Sequence, residues 1–309
     1  MSLANGQGNI YSLEVSKPED AMTAMLEIDT QTPDRPGQME AILGELRQLR
    51  ESNALLKKRQ TEIDAELSLA ARVQQCLAPH SLIWNDVSVE AHYRPAHTIG
   101  GDFGIVFPHN DEALTILMCD VSGHGIGSAL VANRIYSETL HQLERGALPG
   151  KLLRHLHDFA RLRLATDGFF FTMAAVRLSM RGRRAAFVGG GHPPAMHLSN
   201  GVVRLLESQN GILGCLSETA KPAPAEDIEL APGDRLVLYT DGLAEVFDRV
   251  DDMLGVAGLK TLVLQSAKRP LPEMRRAILD GVAAWRHGPP PTMSPSLSPK
   301  FASVNPYPD

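Results

Sequence analysis

Between Met39 and Leu77, apolar residues recur at alternating spacings of three and four. This spacing places them along one seam of a helix and is typical of a coiled coil. Asn53 occupies an a position of the repeat, where a polar residue lowers stability but favours one register, often in a parallel dimer. We therefore predict a coiled-coil linker helix over residues 38–80, with residues 39–77 forming a homodimer. The alternative is an amphipathic helix that packs on its own domain, since three of the a positions are polar.

The rest of the sequence argues against a membrane-spanning protein and against a nucleic-acid-binding protein. No run of about 18 apolar residues is present, as a transmembrane helix would need. The formal net charge is −6, whereas nucleic-acid binders carry a basic face. Cys76, Cys119 and Cys215 lie far apart, which indicates reduced thiols and a cytoplasmic location. Residues 1–37 show no sustained period, so we predict a disordered or weakly structured arm there.

After residue 80, short apolar strands alternate with turns and with pairs of helices. Val87–Tyr93 alternates as a strand, and similar patterns recur as far as Tyr239. Helical patterns lie at Gly127–Leu143, Lys151–Ala165, Val256–Ser266 and Leu271–Arg286. Strands joined in hairpins, with helices inserted in pairs, predict an α+β fold of antiparallel sheets covered by helices.

Three aspartates stand within three residues of a glycine, at the ends of predicted strands: Asp102, Asp120 and Asp241. A neighbouring glycine lets the backbone turn closely, so the carboxylates can converge at one end of the sheets. Hard divalent cations prefer such oxygen ligands, and two ions that share a carboxylate can activate water and neutralise a phosphoryl group. A single Asp-Gly pair is more often a turn or a helix cap, so the prediction depends on the sequence around each aspartate.

Six sequence motifs occur in the order found in one enzyme family. They are Ala71-Arg72-Val73-Gln74-Gln75, Arg94-Pro95-Ala96 with Gly100-Gly101-Asp102-Phe103, Asp120-Val121-Ser122-Gly123-His124-Gly125, Phe170-Phe171-Thr172-Met173, Gly191-His192-Pro193-Pro194 and Tyr239-Thr240-Asp241-Gly242. From about Glu66 to Ala284 the chain resembles the bacterial metal-dependent protein phosphatases (PPM, protein phosphatase 2C-like), and most of all their sporulation and stress-response branch. The resemblance implies an α-β-β-α sandwich of two mainly antiparallel sheets over residues 81–288. It also implies hydrolysis of phosphoserine or phosphothreonine on a regulatory protein of the anti-sigma-factor antagonist type.

The resemblance also implies roles for individual residues. Asp120 matches a carboxylate that bridges two Mn²⁺ or Mg²⁺ ions, and Val121 matches a residue that lends its main-chain carbonyl. Asp102 and Asp241 match further metal ligands. The implied nucleophile is a metal-bridged water, so no side chain need attack phosphorus.

Three other polar residues near these motifs receive no catalytic role. His124 stays unassigned because its offset from Asp120 differs from that in the eukaryotic relatives. His192 is interpreted as a structural turn residue. Arg94 is interpreted as a surface arginine, with a phosphate anchor as the alternative. No substrate-binding residue is assigned.

The chain departs from the family after Gly288. The family places an Asp-Asp pair and an apolar strand there, whereas residues 289–309 hold seven of the 21 prolines and no acidic residue before Asp309. Proline fixes φ and removes a backbone donor. We therefore expect a Pro-rich tail in place of the family's last strand, so that one metal loses a ligand and one sheet loses a strand. The alternative function is a catalytically impaired scaffold that binds a regulator.

Codon degeneracy suggests an origin for this tail. Residues 291–295, Pro-Thr-Met-Ser-Pro, can be encoded as CCG ACG ATG TCA CCC. The frame that begins at the third base reads Asp-Asp-Val-Thr, the missing acidic pair with the start of a strand. We therefore hypothesise a short frameshift just after Gly288, which the DNA sequence around Pro291 tests.

Overall fold

The computed structural model describes residues 2–4, 10–12, 35–94, 98–164, 168–179, 183–215, 223–249, 251–286 and 301–305. The chain divides into two compact units, Met1–Ile63 and Asp64–Asp309. In the first unit, strands β1 (Ser2–Ala4) and β2 (Ile10–Ser12) pair antiparallel. Most of the predicted arm over residues 1–37 lies outside the described residues.

The predicted N-terminal helix is confirmed. Helix α1 spans Arg35–Gln74 and continues as a 3₁₀ turn at Gln75–Leu77. It ends where Ala78 precedes a proline, because the proline ring disfavours a helical conformation at the residue before it, and Ala78 is extended. Most apolar residues of the predicted seam are exposed, among them Met39, Leu46, Leu49, Leu56 and Ile63. The coiled-coil pairing of this seam stays a prediction.

The end of α1 packs differently from the rest of its predicted seam. Gln74 and Leu77 are buried, and Leu77 belongs to the core cluster of the second unit. The alternative interpretation, a helix packed on its own domain, therefore holds for this last turn. The predicted dimer then depends on the exposed seam residues that precede it.

The strands of the second unit form two antiparallel sheets. They are β3 (Leu82–Trp84), β4 (Val87–His92), β5 (Phe103–Pro108), β6 (Ala113–Val121), β7 (Phe171–Ser179), β8 (Arg184–Gly190), β9 (Ala195–Ser199), β10 (Val202–Leu206), β11 (Glu226–Glu229), β12 (Arg235–Tyr239) and β13 (Phe301–Asn305). The five-stranded sheet has the order β11-β8-β7-β6-β5, and the six-stranded sheet has the order β10-β9-β12-β13-β4-β3.

Helices cover the outer faces of the two sheets. They are α2 (Ile126–Glu144), α3 (Pro149–Arg163), α4 (Asp241–Ala244), α5 (Gly255–Gln265) and α6 (Leu271–Trp285). Buried residues of α2 and α3 pack with the five-stranded sheet, and those of α5 and α6 pack with the six-stranded sheet. Within the described part of the chain, no helix is both long and apolar enough to cross a membrane.

Strand β6 shows how the layers are stacked. Leu117 and Cys119 pack towards α2 and α3, whereas Ile116 and Met118 pack towards the other sheet, together with Leu238 of β12. Because both faces of β6 are covered, its sequence is a near-continuous apolar run without polar alternation. The order helix, sheet, sheet, helix confirms the α-β-β-α sandwich that the sequence resemblance implies.

The expectation that one sheet loses its last strand is wrong. Strand β13 lies between β12 and β4 and pairs antiparallel with both, with Val237 and Glu90 opposite Ser303. The physical reason is that no proline occurs between Pro299 and Pro306, so this short segment keeps all of its backbone donors. The segment from Gly288 to Pro308 still holds no acidic pair. The predicted boundaries at residues 37, 80 and 288 stay predictions.

Candidate active site

Asp102 and Asp120 lie at the same end of the five-stranded sheet. Phe103 pairs with Cys119, and the same register places Asp102 opposite Asp120. Asp120 in turn pairs with Thr172 of β7. Asp120 follows Met118 by two residues, so strand alternation places it on the face that meets the other sheet. Three polar residues thus form one rung at the open end of the layer between the sheets.

Both carboxylates act on the side chains around them. Burial raises the pKa of the Cys119 thiol, and Asp120 and Asp102 raise it further. Burial and then Asp102 raise the pKa of Tyr93 to about 12. The Tyr93 hydroxyl also donates a 3.3 Å hydrogen bond to the main-chain oxygen of Asp102.

The backbone beside Asp102 is tightly packed. A Cβ at Gly101 would lie 2.6 Å from the Val121 carbonyl oxygen, so a side chain there would collide with backbone. The adjacent Gly100 is held by Gln74, whose side chain accepts a 3.0 Å hydrogen bond from the Gly100 N–H and donates one to its carbonyl. The end of α1 therefore fixes the segment that carries Asp102 next to the Val121 carbonyl.

Asp241 lies just after a strand of the other sheet, and a buried histidine contacts the end of that strand. It begins α4, two residues after Tyr239 at the end of β12. His192 is 4% exposed; its Nδ1 lies 2.8 Å from Thr172 Oγ1, and its Nε2 lies 3.0 Å from the Tyr239 carbonyl oxygen. The Thr172 side and the Tyr239 side of the site are thus linked by one imidazole ring.

The partners of His192 determine its tautomer. A carbonyl oxygen can only accept, so Nε2 carries the proton and donates to Tyr239, and Nδ1 accepts from the Thr172 hydroxyl. Burial lowers the pKa of His192 to about 4, although Asp102 acts in the opposite direction. The ring is therefore neutral near pH 7, with both nitrogens engaged.

A residue of the loop after β10 holds the backbone of His192 by hydrogen bonds. Ser208 Oγ donates a 2.7 Å hydrogen bond to the His192 carbonyl and accepts a 3.0 Å bond from its N–H. A Cβ at Gly189 would lie 2.5 Å from Ser208 Oγ, so the glycine permits this approach. His192 does lie in a turn, but its ring also makes a contact between sheets that the turn interpretation did not include.

The chemistry of this end fits a hard cation in several respects. Two carboxylates opposite each other on a rung repel one another, which a cation would offset. The Val121 carbonyl adds a neutral oxygen of the kind that Mg²⁺ or Mn²⁺ accepts. Thr240 Oγ1, beside Asp241, is buried and has no hydrogen-bond partner among the described residues; such atoms commonly bind water or an ion.

The complete predicted ligand set is not assembled as a cluster. Across the described ranges, no three His, Cys, Asp or Glu side chains are grouped closely enough to hold a metal ion. The structure places Asp102 and Asp120 on one rung with the Val121 carbonyl nearby. Asp241 follows Tyr239, whose carbonyl accepts from His192, by two residues. Their assignment as metal ligands stays a prediction.

The sequence interpretation missed Thr172 and Tyr239 as parts of this region. Thr172 is a polar residue that pairs with Asp120, and this register could not be derived before the pairing of β6 and β7 was known. Tyr239 contacts His192 through its main-chain carbonyl. Every residue type has such a carbonyl, so the sequence could not indicate this contact. Arg94 and His124 are exposed, which agrees with the interpretation of Arg94 as a surface residue.

The sequence matches one protein family over more than half of its length. Residues 110–291 match the model of stage II sporulation protein E (SpoIIE). The phosphoserine phosphatase RsbP of Bacillus subtilis strain 168 is 25% identical over 214 residues, which cover 65% of this chain and 52% of RsbP. The chain thus spans about half the length of this curated relative.

Solved structures share the fold at low identity. The SiaA-PP2C domain of Pseudomonas aeruginosa superposes with a TM-score of 0.68 at 21% identity, covering 80% of this chain and 98% of that chain. The PP2C phosphatase domain of SpoIIE from Bacillus subtilis, with a fragment of its regulatory domain, gives a TM-score of 0.59 at 17% identity, covering 71% of this chain and 62% of that chain.

Proposed function

We propose, because this chain belongs to the SpoIIE family, that it is a metal-dependent protein serine/threonine phosphatase. The observation that carries the proposal is the rung of Asp102 and Asp120 beside the Val121 carbonyl, at the end of the matched fold. Phosphoserine on a regulatory protein is the proposed substrate class, in line with the name of RsbP.

The residues of this end have distinct proposed tasks. Asp102, Asp120 and the Val121 carbonyl would hold Mg²⁺ or Mn²⁺, with Asp241 as a further ligand; two ions are expected from the family resemblance. Such ions neutralise phosphoryl charge and lower the pKa of water. The carboxylates keep the site anionic without them, which disfavours a phosphate ester unless a cation is present. The proposed activity should therefore depend strictly on added metal.

The exposed seam of α1 supports a second part of the proposal. Its apolar residues, such as Leu49 and Leu56, are exposed although they follow a heptad spacing. A second copy of this helix would bury them. We propose that α1 forms a homodimer, and that its end, through Gln74 and Gly100, passes a partner's signal to Asp102. The anti-sigma-factor antagonist as substrate and the cytoplasmic location rest on the resemblance and on cysteine usage.

A second candidate is a phosphatase-like scaffold with impaired catalysis. It is favoured by one observation: no acidic residue occurs between His287 and Pro308, where the family has its acidic pair. The retention of Asp102, Asp120 and Asp241 favours the enzyme instead. Under the scaffold hypothesis the chain binds a regulator and releases no phosphate.

Phosphate release from a phosphoserine protein in the presence of Mn²⁺ tests the proposal. We expect Asp120→Asn to lower kcat/KM by roughly 100-fold or more, because a metal contributes several kcal/mol to such a transition state. Asp227→Asn is the matched control, since Asp227 is exposed on edge strand β11 of the same sheet and should leave activity unchanged. Equal activity of Asp120→Asn and wild type would reject the assigned site; no activity in any of the proteins would favour the scaffold.

A further inference from the structure

The turn between β8 and β9 contains two consecutive prolines, and this has a consequence for β12. Strand β9 pairs with β12 with Met196 opposite Val237. The ladder ends at this pair, and its register, if continued by two residues, would set Pro194 opposite Tyr239. Proline has no N–H to donate. The end of β12 therefore cannot receive a ladder hydrogen bond from Pro194, although Tyr239 is fully buried.

His192 supplies the hydrogen bond that the prolines cannot. Its Nε2–H donates to the Tyr239 carbonyl at 3.0 Å, and a buried carbonyl left without a partner would cost free energy. The imidazole thus takes the place of a strand neighbour at the last residue of β12. Because the same ring accepts from Thr172 at 2.8 Å, this replacement also connects β12 to the other sheet.

We propose that His192 is a positioning residue for the aspartate end of the two sheets. Its ring contacts Thr172, the residue that pairs with Asp120. It also donates to the Tyr239 carbonyl and so anchors the strand that leads into Asp241. This inference rests on the proposed phosphatase function and extends it. His192 sets how far apart the two aspartate-bearing segments lie, and hence how well they hold a cation together.

The position of His192 excludes a direct catalytic role. Both of its ring nitrogens are occupied by protein partners, and only 4% of the residue is exposed. A group that donates a proton to a substrate needs a nitrogen free to reach it. The effect of His192 is therefore indirect, as for residues that orient metal ligands from behind them.

Variants of the two hydrogen bonds test this proposal on the full chain. Thr172→Val removes the hydroxyl at nearly constant volume, and Thr172→Ser keeps it. His192→Asn can still accept from Thr172 but is too short to reach the Tyr239 carbonyl. We expect Thr172→Val and His192→Asn each to raise the Mn²⁺ dissociation constant, measured by calorimetry, and to lower kcat at unchanged KM, in both cases by about tenfold. Thr172→Ser should restore both quantities.

His197→Gln is the matched control. His197 is also buried, at 7% exposed, and its Nε2 lies 2.9 Å from Asp234, yet among the described residues it makes no hydrogen bond to Asp102 or Asp120. This variant should lower the melting temperature but leave the Mn²⁺ dissociation constant and kcat of the folded protein unchanged. If His192 had a purely structural role, Thr172→Val would resemble this control: its melting temperature would fall, but its Mn²⁺ dissociation constant and kcat would stay as in wild type.

The outcomes separate the two proposals. If wild type is active and Thr172→Val binds Mn²⁺ and turns over as wild type does, the positioning role is overturned and the phosphatase function stands. If wild type releases no phosphate but Thr172→Val still weakens Mn²⁺ binding, the phosphatase function fails and the positioning role stands. If wild type shows neither activity nor a difference in Mn²⁺ binding from Thr172→Val, both are overturned.

Discussion

The five-stranded sheet is built from strands that follow one another closely along the chain, whereas the six-stranded sheet needs strands from distant segments. Neighbours β5, β6, β7 and β8 are consecutive, but β12 has β9 on one side and β13 on the other. Asp102 and Asp120 belong to the first sheet, and Asp241 follows a strand of the second. One half of the proposed site therefore depends on local pairing, and the other half depends on the tail.

The two sheets therefore differ in their exposure to the altered sequence after Gly288. Of the residues after Gly288, the structure describes β13, which pairs with β12 and β4, so we expect the departure from the family to act on the six-stranded sheet. The pairing that sets Asp102 opposite Asp120, and Asp120 opposite Thr172, uses strands β5, β6 and β7. Changes to each sheet should accordingly have separable effects.

The largest effect is expected in the core of the five-stranded sheet. Leu117 is 1% exposed in the centre of β6, so Leu117→Ala removes buried methyl groups and leaves a cavity. We expect a loss of about 2–5 kcal/mol in the free energy of unfolding, measured in urea. The control Leu162→Ala, at an exposed position of α3, should change it by less than about 0.5 kcal/mol. If Leu117→Ala and Leu162→Ala lower the free energy of unfolding by similar amounts, β6 is not the stable centre of the five-stranded sheet.

A smaller and more local effect is expected from β13. Ser303→Pro removes one backbone donor from a strand that is paired on both sides, which should cost roughly 1–3 kcal/mol. Hydrogen exchange should show faster exchange in β12 and β4, while β6 keeps its protection. Ser298→Pro adds a proline outside the strand and serves as the control. If β12 and β4 exchange at wild-type rates in Ser303→Pro, then β13 does not hold the six-stranded sheet together.

A pH effect is expected at the far end of the five-stranded sheet. His109 Nε2 lies 2.8 Å from both Thr115 Oγ1 and Arg177 Nη1, and burial, followed by Arg177, lowers the pKa of His109 to about 4. The unfolded chain takes up a proton near the ordinary pKa of about 6.5, and the folded protein does so only near 4. Stability should therefore fall as the pH drops from about 6.5 to 4.

The contribution of His109 can be isolated by substitution. His109→Gln removes the titrating group, so the melting temperature should vary less between pH 7 and pH 5 than in wild type. Leu162→Ala, at an exposed position of α3, is the control, because it removes no titrating group and should leave the pH dependence as it is in wild type. If His109→Gln and wild type show the same pH dependence, the lowered pKa of His109 is not a source of acid sensitivity.

The smallest effect on the sheets is expected from α1. Leu49→Lys places a charge on the exposed predicted seam and should shift a dimer to monomer in analytical ultracentrifugation. The thermal unfolding of the sheets should change little, because this position belongs to the other compact unit. Gln48→Lys adds the same charge next to the seam and should preserve the dimer. An unchanged dimer in Leu49→Lys would contradict the proposed coiled coil.

Local patterns were sufficient for much of the fold. The heptad spacing predicted α1, and the apolar run of β6 predicted a strand although both of its faces are covered. The positions of Asp102 and Asp120 near glycines suggested that they converge, and the register places them opposite each other. These features depend on residues that are close in sequence, so the sequence alone carries them.

Features that depend on distant pairing could not be predicted in this way. Nothing in Phe301-Ala302-Ser303-Val304-Asn305 identifies a central strand, because its partners β12 and β4 are far away in the chain. The role of His192 likewise follows from the register that, if continued, would set Pro194 opposite Tyr239. A turn histidine followed by two prolines has no such meaning until that register is known.

A titration with Mn²⁺ tests most directly whether the aspartate end of the sheets is a metal centre. Calorimetry would compare wild type with the double variant Asp102→Asn/Asp120→Asn, with Asp227→Asn as the control of equal chemistry on an exposed strand. We predict Mn²⁺ binding in wild type and in the control, and a loss of affinity of about 100-fold or more in the double variant. Equal Mn²⁺ affinity in all three proteins would contradict the account.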